Sequence, residues 1–336
     1  MSSNRQLFFK IEKLNTAEAV LEEKSVTING GSIDVGSGGS RRKASFELLE
    51  PLPANWQMHK WKLYYGYRER TTDPIIYYPQ GVFIPINPSE REVNSGFVTS
   101  FQGVDKTKLF ADFQLDTPIT FASGTTVRSI VQTVAGWFNE TKLVLAQDLG
   151  TLGAAFSFEE GSTAEQLLNS LVSSFNAEWF YNPDGFLVAR RRTDPANRPI
   201  THRLDNPASP YYISSERTIS DDNYYNKVTL VGGKADTPIY RSTVQNTDAI
   251  TAAGGRVVQR YFSRDAAVTQ VQVNALAAYY LSNGVLLPAT LKVESLVIPN
   301  LELDEIIQKD NKRYEVRGFN IPLGLGTQNI DAGEIL

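Results

Sequence analysis

The sequence predicts a mainly β chain of the α+β class: a β-rich first third, a mixed α/β middle, and a β-rich last third that carries one helix. Three observations predict it. Between Leu7 and Gly103, short branched and aromatic runs separated by glycine, proline and asparagine recur at roughly ten-residue spacing. Between Thr125 and Phe175, two apolar stripes fall at helical spacing behind capping residues. After Pro199 the pattern returns to alternating runs, broken by a single long helical stretch.

In the first third, a strand-like run at 7–11 opens the chain, and residues 16–23 offer its one helical turn. Strands are expected at 25–28 and 32–35 around the turn signal Asn29-Gly30-Gly31. A loop, Gly36-Ser37-Gly38-Gly39-Ser40, then leads to strands at 41–48 and 61–67. The run 77–86 contains Pro79 and Pro85, which remove ladder donors and push it toward a sheet edge. A strand at 96–103 completes a set that suggests a small barrel or sandwich.

In the middle, Thr125 is expected to cap a helix whose stripe is Val127, Ile130, Val131, Val134 and Phe138. Ser162 and Glu165 have the spacing of a capping box, followed by Ala164, Leu167, Leu168, Leu171 and Phe175 on one face. Phe-x-x-Gly precedes both helices, at 121–124 and 158–161, and Phe-Asn closes both, at 138–139 and 175–176. Two convergent capped helices account for this in preference to a duplication. A hairpin follows, 178–181 against 186–189, with a two-residue turn at Asp184-Gly185. The polar, proline-bearing run 190–199 is a linker. The last third offers strands at 226–233, 256–262, 290–297 and 313–321. Its helix runs from a Ser263 cap through Leu281, with a stripe of Val268, Val271, Ala275, Ala278 and Tyr279 and an Asn283-Gly284 stop.

Composition narrows function. The 336 residues are 41% hydrophobic and 21% charged, as in a folded chain of two or three domains. A net charge of −4 and a pI near 5.4 disfavour a phosphate-gripping role, while leaving room for transient passage of DNA past an acidic wall. There are no cysteines, so disulfides and thiolate metal sites are excluded. His59 and His202 are far apart and have no histidine neighbour at metal-ligand spacing. No run approaches the ~20 apolar residues of a membrane span. The N-terminus lacks a signal-peptide core, so assembly in a cytoplasm is expected.

Each chemical candidate has a structural counterpart that explains it better. The glycine-rich 30–39 segment lacks the Gly-Lys-Ser/Thr ending of a phosphate loop and reads as an inter-strand loop. Glu159-Glu160 and Asp304-Glu305 are adjacent carboxylates, and the first precedes a helix N-terminus, where negative charge is favoured. Ser220-Asp221-Asp222-Asn223 lacks the alternating ligands and distal glutamate of a calcium loop and reads as an Asx turn. The basic runs Arg41-Arg42-Lys43 and Arg190-Arg191-Arg192 alternate between strand faces, and the second is expected to pair with an acidic neighbour or subunit. The aromatics Trp61, Tyr64, Tyr65, Tyr67, Trp179, Phe180 and Tyr181 divide between core and subunit contact. No catalytic, cofactor-binding or metal-binding residue is assigned, and no cofactor is expected.

The order of these elements resembles the baseplate hub proteins of long-tailed phages and related contractile injection machines. It rests on 31–35 followed by 41–48, on Gln80-Gly81-Val82-Phe83-Ile84 with Gly103-Val104-Asp105-Lys106, and on the helix and hairpin at 156–192. The fourth feature is Asn226-Lys227-Val228-Thr229-Leu230-Val231-Gly232 with the later helix and closing strands. The resemblance implies two tube-like β-barrels, 1–113 and 201–336, joined by a mixed α/β insertion at 114–200. It implies a homotrimer that presents six similar units around a DNA-ejection channel, adapting a six-fold tail tube to a three-fold tip. The implied partners are the distal tail ring, the tape measure and a central tip or fibre protein. The implied location is the virion, without enzymatic activity, since the chain departs from relatives that carry an appended hydrolase. Subunit contacts are expected at the aromatic hairpin or around Tyr64 and Tyr225. A tail-associated cell-wall or polysaccharide hydrolase and a sugar-binding receptor module are the alternatives.

Overall fold

The structure, a computed structural model, describes residues 6–25, 30–37, 39–68, 72–94, 96–205, 211–219, 224–233, 238–267, 269–284 and 289–335. It is mainly β, as the patterning predicts. One antiparallel path runs Tyr212–Ile219, Ala289–Ser295, Gln328–Ile335, Lys312–Pro322, Gly31–Gly36, Arg42–Leu48, Gly96–Asp105, Ile76–Val93, Lys60–Arg68, Gln6–Leu14, Val20–Ser25. Ile306–Lys309 and Ile200–Arg203 branch from it beside Lys312–Pro322. The first and last thirds of the chain therefore meet in one sheet, where Gly318–Pro322 pairs with Ser32–Gly36. Among the described residues no ladder joins Val20–Ser25 to Tyr212–Ile219, and these strands form the two ends of an open path.

Alternation explains which side is buried. In Arg42–Leu48, Ala44, Phe46 and Leu48 are buried while Lys43 and Ser45 face solvent. One apolar core runs along the buried side, from Ile11, Phe46, Trp61 and Phe101 to Leu291, Val316 and Ile330. Two expectations fail here. The proline-bearing run is an interior strand: Pro79 falls at a register shift opposite Tyr64, while Pro85 stands in register opposite Gly103 and a second shift follows between Ile86 and Ser89. Residues 16–23 do not make a helical turn. Val20–Ser25 is a strand against Lys10–Leu14, and the rest of the predicted 25–28 strand lies outside the described residues.

The middle is built on a repeat. Helices Val127–Gly136 and Ala164–Ser173 are both capped by threonine, Thr126 and Thr163. The expected caps Thr125 and Ser162 each sit one residue early, and the capping box is Thr163 with Gln166, not Ser162 with Glu165. Thr126 and Thr163 lie 37 residues apart, and the same offset relates their surroundings. Gly124 and Gly161 have positive φ, as do the closing Asn139 and Asn176. Val127 N–H donates to Gly150 O, and Ala164 N–H donates to Phe113 O. Gly124 N–H donates to Leu152 O, and Gly161 N–H to Leu115 O. Ile119–Phe121 pairs antiparallel with Phe156–Phe158, with Thr120 opposite Ser157 on the pseudo-two-fold. Equivalent backbone bonds on both sides describe a repeated unit, more than the two convergent caps that the sequence reading preferred.

The hairpin Ala177–Tyr181 with Leu187–Arg191 extends this module, and Leu143–Leu145 adds a parallel strand. Its turn is longer than expected. Asn182 and Phe186 still bond, leaving Pro183, Asp184 and Gly185 as a three-residue loop with Gly185 at φ 82°. All five residues of Ala177–Tyr181 are buried in the chain's own core. Trp179 donates its indole N–H to Asn169 Oδ1 at 2.8 Å.

The last third carries a satellite. Tyr240–Gln245, Lys227–Gly232 and Gln259–Arg264 form a small sheet under the helix Gln270–Gly284. Ser263 lies in a strand; Thr269 accepts the Gln272 N–H at the helix start. The helix buries Val273, Leu276 and Ala277, whereas Val271 is 78% exposed. The predicted stripe therefore faces outward: Ala275 and Ala278 are exposed too, and Val268 lies outside the described residues.

Because the hairpin is core, Trp179→Ala and Tyr181→Ala should each destabilise the isolated chain by about 3–5 kcal/mol. Denaturant unfolding of the purified protein checks this, and unchanged midpoints would return the hairpin to the list of subunit contacts.

Candidate assembly surfaces and the ionic centres behind them

The charged residues singled out by sequence are spent on internal cohesion. Strand alternation sends Arg41 and Arg42 to opposite sides. Arg42 is buried; it donates to Gln80 O at 3.0 Å and to Glu302 Oε2 at 2.5 Å. Its N–H donates to Asp105, which also accepts from Thr107 N–H, and burial pushes the Asp105 carboxyl up. Arg41 bridges Glu178 at 2.8 Å and Asp304 at 3.1 Å, and its guanidinium lies 3.8 Å from the Phe180 ring centre. Arg190 bridges the same two carboxylates, each at 2.8–2.9 Å. Arg198 reaches Glu315 at 2.7 Å and the Asp304 carbonyl. The basic run at 190–192 thus meets acidic neighbours within the chain. Two clefts flank this cluster and share Glu178, Arg192 and Asp304 in their walls.

A second ionic centre was not legible in the sequence. Glu18, at φ 63°, turns its carboxylate inward to Lys106 at 2.5 Å, Lys142 at 2.9 Å and Lys60 at 3.0 Å. Lys106 is fully buried and also meets Glu140 at 2.5 Å, which accepts from the Tyr181 hydroxyl at 3.0 Å. Burial alone would raise the Glu18 carboxyl. Lys106, then Lys142 and Lys60, override it and bring the group to about 2. Burial and the Glu140 charge push the Tyr181 phenol up. Its only sequence sign is Asp105-Lys106 at a strand end.

The remaining candidates stay apart. Glu159 and Glu160 are exposed in the turn before a helix, and Asp304 is held by arginines while Glu305 sits 3.3 Å from His202. The segment Ser220-Asp221-Asp222-Asn223 lies outside the described residues. Among the described residues, no three His, Asp or Glu side chains gather as a metal site would need. Tyr225 is buried, and Tyr64 donates to Glu12 at 2.8 Å. Exposed apolar side chains lie elsewhere: Val20 and Leu21 on one end strand, Ile213 and Ile219 on the other, and Ile239, Val257, Tyr261 and Val271 on the satellite. Single exposed apolar residues are ordinary; their placement on unpaired sheet ends makes these candidates for assembly.

The depressed Glu18 carboxyl stabilises the folded state above its ordinary 4.5, and this contribution is lost as pH falls toward about 2. Glu18→Gln should lower stability at neutral pH and make the acid limb of a stability–pH curve shallower. Urea midpoints of both proteins from about pH 7 to 2.5 read this; parallel curves would remove Glu18 from the acid transition.

No sequence-family profile matches the chain, and no curated protein matches it. Solved structures do. A tail protein from Neisseria meningitidis MC58 is 14% identical, with 97% of this chain and 96% of that chain covered, at a TM-score of 0.67. The 43 kDa tail protein of prophage MuSo2 from Shewanella oneidensis is 12% identical, with 98% of each covered, at 0.69. The E. coli c3393 protein, a type VI secretion component, is 8% identical and covers 100% of this chain and 75% of its own at 0.51. The likeness read from the order of elements holds at the level of fold: this chain has the fold of phage tail proteins and of their baseplate-like relatives in secretion machines.

Proposed function

We propose that this chain is the structural hub of a phage tail tip or baseplate, a homotrimeric ring that adapts a six-fold tail tube to a three-fold tip. The observation that carries the reading is the end-to-end likeness to phage tail proteins, which leaves almost none of either chain uncovered. In such a ring each copy contributes two tube-like units, 1–113 and 201–336, around the insertion 114–200. Its neighbours are the distal tail ring, the tape measure and a central tip or fibre protein, and its place is the virion after assembly in the host cytoplasm.

The open sheet supports a ring. A contact that joins its two different end strands, Val20–Ser25 of one copy to Tyr212–Ile219 of the next, is head-to-tail, and such contacts close into a cycle when the rotation between copies divides a full turn. Val20, Leu21, Ile213 and Ile219, 46–61% exposed, become buried by that contact. The solvent-facing side of the sheet suits a channel wall. Acids and bases pair across it, Asp34 with Lys43 and Asp331 with Lys292, with Arg317 over Gly333, so these residues offer no cationic strip for a phosphate backbone to grip. A catalytic role gains nothing from Asp304 and Glu178, whose carboxylates are engaged by arginines.

Light scattering of the purified protein, followed by low-resolution imaging, is expected to give three copies in a ring. Leu21→Asp and Ile219→Asp should each shift that mass toward one copy while leaving the fold intact. A ring that survives both changes rejects the edge contact. A stable monomer that joins no ring with its tail partners rejects the hub.

A further inference from the structure

The strands of the large sheet end at two rims, and the rims are unlike. At the first stand Asp105, Arg41–Arg42 and the start of Lys312–Pro322, where the middle module leaves and returns. The satellite at 224–284 also springs from this rim, between Ile219 and its ladder partner Ala289. The two modules touch: Ala266 of the satellite packs into the core of the middle module, and Arg192 bonds Tyr279. Both inserted modules are therefore gathered on one rim.

Among the described residues, the second rim is bare of modules and carries only the connection 49–59, with a short 3-10 turn at Trp56–Met58. The strands reverse there through the loop after Pro322 and through the tip between Val93 and Gly96. Apolar side chains stand out from it. Leu325, between two glycines, is 97% exposed and Leu49 is 62% exposed, with Phe97 and Leu296 exposed beside them. Past Leu48, which pairs with Thr99, the ribbon of Arg91–Val93 against Gly96–Val98 has no further ladder neighbour among the described residues, with Val98 buried and Phe97 exposed. Glu92 is exposed among them, with Glu90, whose carboxylate accepts the Leu52 N–H, Glu50 and, among the described residues of this tip, the cation Arg91.

We propose that this bare rim is the hub's axial docking surface, and that its occupant is a different tail protein offering apolar sockets edged by lysine or arginine. The inference rests on the hub reading. In a ring closed through the end strands, the bare rims of all copies point the same way, so no copy covers another's. Stacking two such rims face to face would oppose carboxylate to carboxylate, which disfavours a second copy as occupant. A basic-edged apolar socket satisfies both features of the rim.

The test complements a phage lacking this gene with wild type, with Leu325→Asp plus Phe97→Asp, and with Glu92→Lys. The altered side chains are exposed, so both variant proteins are expected to keep the wild-type mass and unfolding midpoint. The double variant should lower plaque counts by about a hundredfold and yield tubes whose tips lack the protein by gold labelling, and Glu92→Lys should lower counts by about tenfold. Wild-type plaque counts with the double variant overturn the proposal. A changed oligomeric mass also overturns it, since the rim would then be a contact between copies. Absence of the wild-type chain from purified tails rejects the hub reading itself, and the rim assignment falls with it.

Discussion

Two consecutive arginines hold the three regions of this chain in one body. On a strand, neighbouring side chains leave by opposite faces. Arg42 therefore goes inward to the first third, at Gln80, and to the last, at Glu302, while Arg41 goes across to Glu178 of the middle and Asp304 of the last third. Desolvating a guanidinium costs several kcal/mol, and the cost is offset only where its donors find well-placed acceptors. Here the two acceptors of each arginine lie more than a hundred residues apart, Gln80 and Glu302 for Arg42 and Glu178 and Asp304 for Arg41, so the ion pairs form only once the sheet, the hairpin and the 297–306 segment are in place. The pairs fix relative position more than they add stability.

That division explains what could be read in advance. The strands at 32–35, 41–48, 61–67, 96–103, 290–297 and 313–321 were legible because alternation is a property of a few adjacent residues. The exit of Arg190 toward an acid was legible for the same reason. The centre at Glu18 was not. A single glutamate in a turn carries no local mark of the three lysines that meet it, and Lys106 and Lys142 arrive from other elements. The long helix was misplaced because its alanine-rich surface offers two faces of similar hydrophobicity. Tertiary contact with Val228 and Leu230 chose the one through Val273 and Leu276.

Both ionic centres share a backbone feature. Glu18 and Asp304 are non-glycine residues with φ of 63° and 67°, a conformation that costs roughly 1 kcal/mol or more. Each turns its carboxylate onto two or more cations. The strain is tolerable because the surrounding charges hold the side chain, and a residue with a shorter or neutral side chain would relax the turn.

The pseudo-two-fold in the middle module has a consequence for how the chain reaches that shape. Phe113–Leu115 completes the start of the second helix, and Gly150–Leu152 completes the start of the first. Each half lends the other the short segment that closes its helix start, through single bridges at Gln114 and Thr151. Such reciprocal closure makes the pair a single cooperative folding step. A truncation inside it should unravel both helices together, so a half-length fragment would be a poor substitute for the whole.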